Sequence, residues 1–429
     1  MRAINIVLPR SDVSRLRVFR TNRRTPWHAI TLSLLLAASV SLQAQGTATQ
    51  SSRPTDQRKS EFIVPGIEHI QITRGDKLEK ESTGPWFINV LRIDLTRARL
   101  QTVHALDEAV GLETVSSLAA RYGALAAVNS GYFRTTGTYR GDSVGVQMLN
   151  GKLLSEPNDV RAAMGLIERK EMQKVIFGHV KFKGEIVIST KWHGRLARED
   201  TRKMRVPQQK HIITGLNRPR ADNELIVFTP EFHRTTLTEP NGVEIIVRRG
   251  RIVSRRDQKG SSVIPADGYV ISAAGSARDW ALRNLRSGVS VELRLDLSPT
   301  ETEAQTEWKH ATSIVGGGPQ LIKNGRVDIT NAAEQILPSF VSDYHPRTAI
   351  ARLRSGQILL VTVDGRQAES IGMPLTMLAD LLIEFGAIEA INLDGGGSTA
   401  MVIRNNLVNK PSDASGERPV SDAILVFAR

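Results

Sequence analysis

The stretch that decides the fold begins at His345. Residues 345–366 read HPRTAIARLRSGQILLVTVDGR, and residues 387–401 read AIEAINLDGGGSTAM. Each stretch contains a short apolar run that ends close to an aspartate, Asp364 in the first and Asp394 in the second, and such runs bounded by glycine are typical of buried strands. We therefore expect both aspartates at the rim of a sheet, where clefts form.

The residues between these two runs predict a helix. Residues 374–386 read PLTMLADLLIEFG, in which the apolar positions 375, 378, 382 and 385 share one face and Gly386 is a typical helix end. A strand, a helix and a strand within this length predict a βαβ crossover with parallel strands. Both aspartates would then lie at the same edge of the sheet.

The rest of the chain predicts more strands than helices. We expect a strand over residues 86–95 with a hairpin partner at 100–105, a helix over 114–122 that ends at Gly123, and a strand at 124–128 that breaks at Asn129. Further β-type runs lie at 185–189, 225–229, 243–248 and 291–295. The predicted fold class is α+β, with a mixed β-sheet core, the βαβ crossover near the C-terminus and a β-rich middle lobe or insertion.

The first 44 residues have the layout of a secretory signal peptide. A basic stretch with seven arginines precedes the apolar run of residues 30–42, which is too short for a comfortable membrane span. We expect an exported protein, periplasmic or extracellular, with a flexible leader at 45–61; retention of the signal as an anchor stays open. Removing the signal, which also holds one aspartate, lowers the formal charge from +13 to +13 − 6 = +7.

Composition excludes several classes of site. The chain has no cysteine, which excludes disulfides, thiolate metal sites, cysteine nucleophiles and a lipoprotein anchor. Aromatic residues make up 5% of the chain and no reader motif is visible, which disfavours nucleic-acid binding. The histidines show no pair at zinc-ligand spacing, so no cofactor is certain, although Ca or Mg bound through Asp364 or Asp394 stays open.

Five turns, taken in order, resemble the phosphodiester glycosidase family. They are residues 129–133 (NSGYF), 316–319 (GGGP), 345–349 (HPRTA), 363–366 (VDGR) and 392–399 (NLDGGGST). The resemblance extends over roughly residues 114–429, and the segments 409–413 and 416–423 also fit it. It implies that residues 62–163 and 301–429 are the N-terminal and C-terminal parts of one phosphodiester glycosidase-like domain, with residues 164–300 as the β-rich lobe or insertion.

The resemblance implies cleavage of a sugar 1-phosphodiester at the anomeric C–O bond, which needs a carboxylate and positively charged phosphate binders. The carboxylate candidates are Asp394 and Asp364, and Arg347 is the expected phosphate clamp with Arg418 as a second. The expected contacts to sugar hydroxyls and phosphate oxygens are Asn129, Asn392, Gly395, Gly396, Gly397, Ser398, Thr399 and, in the first triple glycine, Gly317.

Three functions stay open on these residues. The first is an exported hydrolase that cleaves a sugar 1-phosphodiester or a related cell-surface glycan. The second is a non-catalytic glycan-binding protein of exopolysaccharide or envelope biogenesis, and the third is a glycosidase that acts on a sugar-to-sugar linkage. The expected partner in each case is a glycan or sugar phosphodiester, with no stable membrane span after signal cleavage. Structural roles also stay open, because Asp before Gly is common in turns and Arg347 could pair with one of the aspartates.

Overall fold

The structure, a computed structural model, describes residues 56–75, 85–158, 160–169, 172–189, 208–301 and 305–429. The predicted signal peptide and residues 45–55 of the predicted leader lie outside the described residues. The remainder of that leader is a strand, because the first strand begins at Gln57 and runs to Val64. Ordered structure therefore starts earlier than the sequence pattern predicted.

Strands far outnumber helices in the described residues. The strands are β1 (Gln57–Val64), β2 (Ile67–Arg74), β3 (Trp86–Ile93), β4 (Ala98–His104), β5 (Ala126–Asn129), β6 (Gln147–Leu149), β7 (Lys152–Ser155), β8 (Ala162–Arg169), β9 (Met172–Ser189), β10 (Gln208–Ile212), β11 (Gly215–Leu216), β12 (Leu225–Phe228), β13 (Gly242–Arg248), β14 (Arg251–Asp257), β15 (Gly268–Ala274), β16 (Ser290–Pro299), β17 (Ala311–Gly316), β18 (Gln320–Lys323), β19 (Arg326–Val327), β20 (Arg347–Leu353), β21 (Ile358–Val363), β22 (Ala387–Asn392), β23 (Met401–Ile403), β24 (Asn406–Leu407) and β25 (Asp422–Ala428). The helices are α1 (Val115–Tyr122), α2 (Gly275–Asn284), α3 (Gln305–Trp308), α4 (Pro338–Ser342) and α5 (Leu375–Glu384).

The core sheet has eight strands in the order β1-β2-β3-β21-β20-β22-β18-β19. The strands β21 and β22 are not neighbours, because β20, which the sequence analysis did not predict as a strand, lies between them and pairs antiparallel with both. The two strands still run in the same direction and α5 connects them. The parallel direction of β21 and β22 agrees with the prediction, although they do not form a hydrogen-bonded pair. The expectation of a mixed core sheet was wrong, since every described neighbouring pair in this sheet is antiparallel.

The two faces of the core sheet are covered by different layers. On one face α5 packs through residues such as Leu378 and Leu382. The other face packs against a five-stranded sheet of order β24-β23-β5-β25-β4, with Leu360 and Ile391 meeting Val128 and Ile424. Alternate residues along each strand thus enter different cores, as the two-residue repeat of a strand requires.

The predicted hairpin of residues 86–95 and 100–105 does not form. A turn does close between Asp94 and Ala98, whose amide donates to the Asp94 carbonyl at 2.9 Å. The chain then crosses from the core sheet to the five-stranded sheet, where β4 pairs with the C-terminal strand β25. The prediction paired β4 with the strand that precedes it in the chain. The observed partner, β25, lies more than 300 residues away in the sequence.

The middle of the chain is β-rich, as expected. The runs predicted at 185–189, 225–229, 243–248 and 291–295 lie in β9, β12, β13 and β16 of a twelve-stranded sheet. This sheet also contains β6, β7, β8 and β17, and its parallel pair is β11 with β12. In the described part of the chain, no helix is both long enough and apolar enough for a membrane crossing.

Candidate active site

Strand register brings the predicted site residues to one edge of the core sheet. Arg347, at the start of β20, is paired with Val363, at the end of β21. Ala349 is paired with Asn392, the last residue of β22. Asp364 and Asp394, which follow β21 and β22, therefore leave the sheet at the same edge, as the sequence analysis expected.

Asp394 lies in the loop between β22 and the triple glycine. Its backbone amide donates to the Ser130 carbonyl at 2.9 Å, and its carbonyl accepts from Asn129 Nδ2 at 2.7 Å. Burial of the carboxyl group raises the pKa of Asp394 to about 7, an effect that Ser398 and Arg418 oppose and the charge of Asp422 reinforces. A carboxyl group with a pKa near neutrality is suited to proton transfer.

Asp422, at the start of β25, is the carboxylate neighbour that the sequence analysis missed. Its Oδ1 accepts from the Gly131 amide at 2.7 Å, and its Oδ2 accepts from Gln147 Nε2 at 2.8 Å. The side chain is buried, and burial raises the pKa of Asp422 to about 6. The available signal was its place in the 416–423 segment, which fits the resemblance, directly before an apolar strand.

Asp364 is buried at the same edge but holds a different segment. Its Oδ2 accepts from the Lys410 amide at 2.9 Å, and its backbone carbonyl accepts from Ser370 Oγ at 2.7 Å. Burial raises the pKa of Asp364 to about 6, although the Lys410 amide and Asn409 oppose the shift. Its Oδ1 is buried and has no hydrogen-bond partner among the described residues. The visible contacts of Asp364 therefore fix the 409–410 segment against the sheet edge.

Arg347 is buried and binds backbone carbonyls. Its Nε donates to the Met373 carbonyl at 2.7 Å, and its Nη2 donates to the carbonyls of Phe340 and Asp343 at 2.8 Å each. The guanidinium carbon lies 5.0 Å from the centre of the Phe340 ring. Burial lowers the pKa of Arg347 to about 10. The alternative in which Arg347 pairs with one of the two predicted aspartates is not seen, because these hydrogen bonds tie it to α4 instead.

Two other arginines flank the second triple glycine. Arg418 makes a two-point ion pair with Asp413, at 2.7 and 3.0 Å, and lies so close to Gly397 that a Cβ there would be 2.1 Å from Arg418 Nη2. Arg366, which the sequence analysis did not select, lies beside Gly396, where a Cβ would be 3.3 Å from its Nη2. The glycines thus let two cations approach the loop backbone closely.

The two predicted asparagines are engaged within the protein. Asn129 Oδ1 accepts from Thr348 Oγ1 at 2.8 Å and from the Ala400 amide at 3.1 Å. Asn392 Nδ2 donates to the Tyr132 hydroxyl at 2.8 Å and to the Gly318 carbonyl at 3.1 Å. Both side chains are buried, so their visible role is to connect the turns that surround Asp394.

The loop amides expected to hold phosphate are also largely engaged. The amide of Gly396 donates to the Pro346 carbonyl at 2.9 Å, and those of Ser398 and Thr399 donate to the carbonyls of Gly395 and Gly396 at 3.1 and 3.3 Å. In the first triple glycine, the Gly317 amide donates to the Ala162 carbonyl at 2.8 Å. A Cβ on Gly317 would lie 2.6 Å from the Asn392 carbonyl oxygen, so that glycine serves close backbone packing.

A cavity of about 430 Å³ adjoins this edge of the sheet. Tyr132 forms part of its wall, and the Tyr132 hydroxyl lies 2.8 Å from the Gly318 carbonyl and 3.4 Å from that of Leu393, the residue before Asp394. Larger clefts of about 610 and 720 Å³ lie elsewhere and are lined by none of the predicted site residues. Tyr132 thus links the smaller cavity to the Asp394 loop, and we take this cavity as the candidate cleft.

The described residues do not group their histidine and acidic side chains into a set of three or more that could hold a metal ion.

Residues 241–427 match the phosphodiester glycosidase family, and this match confirms the resemblance indicated by the motifs. A mouse protein, N-acetylglucosamine-1-phosphodiester alpha-N-acetylglucosaminidase, is 31% identical over 160 residues, which cover 35% of this chain. The match spans only 30% of the length of the mouse protein. The family match begins at residue 241, so Asn129 and Tyr132 lie outside it although they surround the same loop.

Two solved structures share the fold over most of the chain. A hypothetical protein from Synechocystis superposes with a TM-score of 0.70 at 22% identity, covering 87% of this chain and 64% of that one. A protein from Burkholderia pseudomallei, named as a candidate exported protein, superposes with a TM-score of 0.66 at 25% identity and covers 80% of this chain and 74% of that one. The overall arrangement of sheets therefore occurs in both of these proteins.

Proposed function

We propose that this chain is an exported hydrolase that cleaves the glycosyl C–O bond of a sugar 1-phosphodiester. The observation that supports the proposal is the environment of Asp394 in the matched region: burial raises the pKa of its carboxyl group to about 7, and the charges of Asp422 and Arg418 act on it in opposite directions. Such a group can take a proton at neutral pH beside a site where negative phosphate is attracted.

Asp394 acts as the base in the proposed reaction. It takes a proton from a water molecule whose oxygen forms a bond to the anomeric carbon. The bond from that carbon to the phosphate oxygen breaks, and the phosphomonoester leaves with the electron pair. Positive charge develops on the sugar in this transition state, and the carboxylate of Asp422 favours it. Phosphate is a good leaving group, so the reaction needs no proton donor to it.

Arg418 and Arg366 bind the phosphate in this proposal. Both guanidinium groups lie against the triple glycine that follows Asp394, and planar guanidinium groups match phosphate oxygens. Arg347, whose hydrogen bonds go to backbone carbonyls, holds α4 in place instead. Asp364 anchors the 409–410 segment, and Asn129 and Asn392 support the Asp394 loop.

Export completes the proposal. The basic and apolar segments of residues 1–44 support it, as does the name of the similar Burkholderia pseudomallei protein. An exported hydrolase of this class would meet phosphodiester-linked sugars of the cell envelope.

Oxygen-18 labelling tests which bond is cleaved, because the label from water enters either the released sugar or the phosphate. The purified protein is given a methyl phosphodiester of N-acetylglucosamine 1-phosphate in oxygen-18 water, beside Asp394→Asn and a control, Asp296→Asn, which changes an exposed aspartate on β16. We expect label in the released sugar with the parent and the control, and at least a 100-fold slower release with Asp394→Asn.

Other outcomes would overturn the proposal. Label in the phosphate would mean cleavage of the P–O bond. Equal rates for Asp394→Asn and the control would remove Asp394 from the chemistry. No turnover of this diester or of related sugar diesters, combined with binding of them, would favour the non-catalytic glycan-binding protein.

A further inference from the structure

The candidate cleft beside Asp394 has mostly apolar walls. They are formed by Phe133, Val144, Ile336, Leu337 and Phe340, with Tyr132 at the inner end. Leu337 is 72% exposed and Val144 is 42% exposed, so two large aliphatic side chains lie in water at the cavity. Grouped apolar side chains in such a concave surface mark a binding site for an apolar group.

One wall of the same cleft contains Arg161, whose guanidinium group is not fully hydrogen-bonded. The Arg161 guanidinium lies 5.7 Å from the centre of the Tyr132 ring, and its Nε is buried with no hydrogen-bond partner among the described residues. Arg161 also makes no ion pair with a described carboxylate, unlike Arg418. A partly buried cation in this state is complementary to an anion at the inner end of the cavity.

The second arginine near the cleft lies behind its wall. Arg347 stacks on Phe340 and holds the carbonyls of Phe340 and Asp343, which fixes α4 and the preceding residues Ile336 and Leu337 at the cavity. Because this wall is held by the buried guanidinium group of Arg347, the apolar surface is a built part of the site.

We propose that this cleft binds an apolar aglycone, so that the substrate is a sugar joined through phosphate to a lipid-like or aromatic alcohol. The inference rests on the proposed hydrolysis of a sugar 1-phosphodiester. Arg161 is a third cation for the phosphate, in addition to Arg418 and Arg366, and the aliphatic and aromatic walls of the cleft cover the alcohol. A sugar as the aglycone fits less well, because the lining offers few polar groups beyond Asn158, Gln335 and Arg161 for its hydroxyls.

Binding of n-octyl phosphate and methyl phosphate to the purified protein tests the cleft without catalysis. Titration calorimetry below the micelle concentration should show octyl phosphate binding about 100-fold more tightly. This gain corresponds to burial of roughly three to four methylenes, because each buried methylene contributes roughly a fourfold gain. Leu337→Asn should weaken octyl phosphate about tenfold and leave methyl phosphate unchanged, whereas Arg161→Gln should weaken both. The matched control is Val263→Asn, which changes another exposed aliphatic residue, 69% exposed, that does not line the cavity.

Equal binding of the two phosphates, or octyl phosphate binding that Leu337→Asn and Val263→Asn change equally, would overturn the inference. Turnover then separates the inference from the function on which it rests. Hydrolysis of methyl and octyl diesters with equal kcat/KM would overturn the apolar aglycone and leave the hydrolase. A third result is octyl phosphate binding that depends on Leu337 but no hydrolysis of either diester. This result would overturn the proposed hydrolase activity, and the bound apolar group could then not be called an aglycone.

Discussion

Asp394 and Asp422 are neighbouring carboxyl groups, and the charge of Asp422 raises the cost of ionising Asp394. If Asp394 is the base, kcat/KM should rise with pH through about 7, because only the ionised form accepts a proton. Asp422→Asn removes the neighbouring negative charge, so the pKa of Asp394 should fall and the acidic limb of the profile should move to lower pH. The pH profile of kcat/KM for the parent, Asp422→Asn and Asp296→Asn measures this shift. A limb that stays in place would contradict the electrostatic coupling.

Asp364 gives the second prediction at the scale of a residue. Its folded pKa of about 6 lies above the ordinary value of 3.8, so the protonated form is favoured by folding and stability should fall as pH rises from about 4 through 6. Asp364→Asn removes that titration and can still accept from the Lys410 amide. We expect the variant to be more stable by about 2 kcal/mol at pH 8 and no more stable than the parent below pH 4.

Urea unfolding at both pH values checks the Asp364 prediction, with Asp296→Asn as the exposed control. An equal stability gain at both pH values would mean that titration of Asp364 is not its cause. A loss of stability at pH 8 would mean that the charged carboxylate stabilises the fold by more than its burial costs.

Local sequence patterns predicted the helices and strands whose ends are set by neighbouring residues. The helix α1 begins after Thr114, whose side chain accepts from the Ser117 amide, and ends at Gly123 with φ of 65°, as its sequence indicated. The helix α5 and the strand β5 were predicted for similar reasons. The strand β20 was not, because its first residues looked like a turn around Pro346 and Arg347, and only its two antiparallel neighbours reveal it.

The candidate site likewise contains residues that local sequence could predict and residues that only distant contacts reveal. The edge that gathers Asp364 and Asp394 could be predicted because each residue follows a recognisable apolar run. Arg347 was selected only through the family resemblance, since its strand β20 was not predicted. Asp422 and Arg161 could not be predicted, because Asp422 acts through a strand pairing with β5 and Arg161 through its place over the Tyr132 ring. Such contacts between distant parts of the chain leave no periodic signal in the sequence.

Because Arg347 is hydrogen-bonded to α4, substitution of Arg347 should lower the stability of the fold strongly. Arg347→Lys keeps the charge but loses the planar fork that reaches the carbonyls of Met373, Phe340 and Asp343. We expect a loss of about 3 kcal/mol in urea unfolding, because three charge-assisted hydrogen bonds are lost, one of them to the buried Met373 carbonyl. Arg354→Lys, at an exposed arginine beyond β20, should change stability by less than about 0.5 kcal/mol. Unchanged stability with a raised KM would return Arg347 to its predicted role as phosphate clamp.

Across the whole molecule, the residues that match the family are only part of those that form the sheets. The match begins at residue 241, but the five-stranded sheet places β5 between β23 and β25, and the core sheet places β3 between β2 and β21. The amide of Asp394 itself donates to Ser130. The matched segment therefore lacks central strands of both layers, and it lacks Asn129 and Ser130, which hydrogen-bond to the backbone of Asp394.

This division of the sheets predicts that the fragment 241–429 does not fold alone. Without β3 and β5, the strands β21, β23 and β25 would expose buried backbone groups and the apolar residues that face them, such as Leu360 and Ile424. Residues 56–429 should unfold cooperatively and hydrolyse the diester, whereas the fragment should show no cooperative transition by circular dichroism and no turnover. Adding a separately produced fragment 56–240 should restore both, because it supplies the missing strands. A fragment 241–429 that unfolds cooperatively by itself would show that the Asp394 edge is built without the N-terminal strands, and Asn129, Ser130 and Tyr132 would then not be needed to support the Asp394 loop.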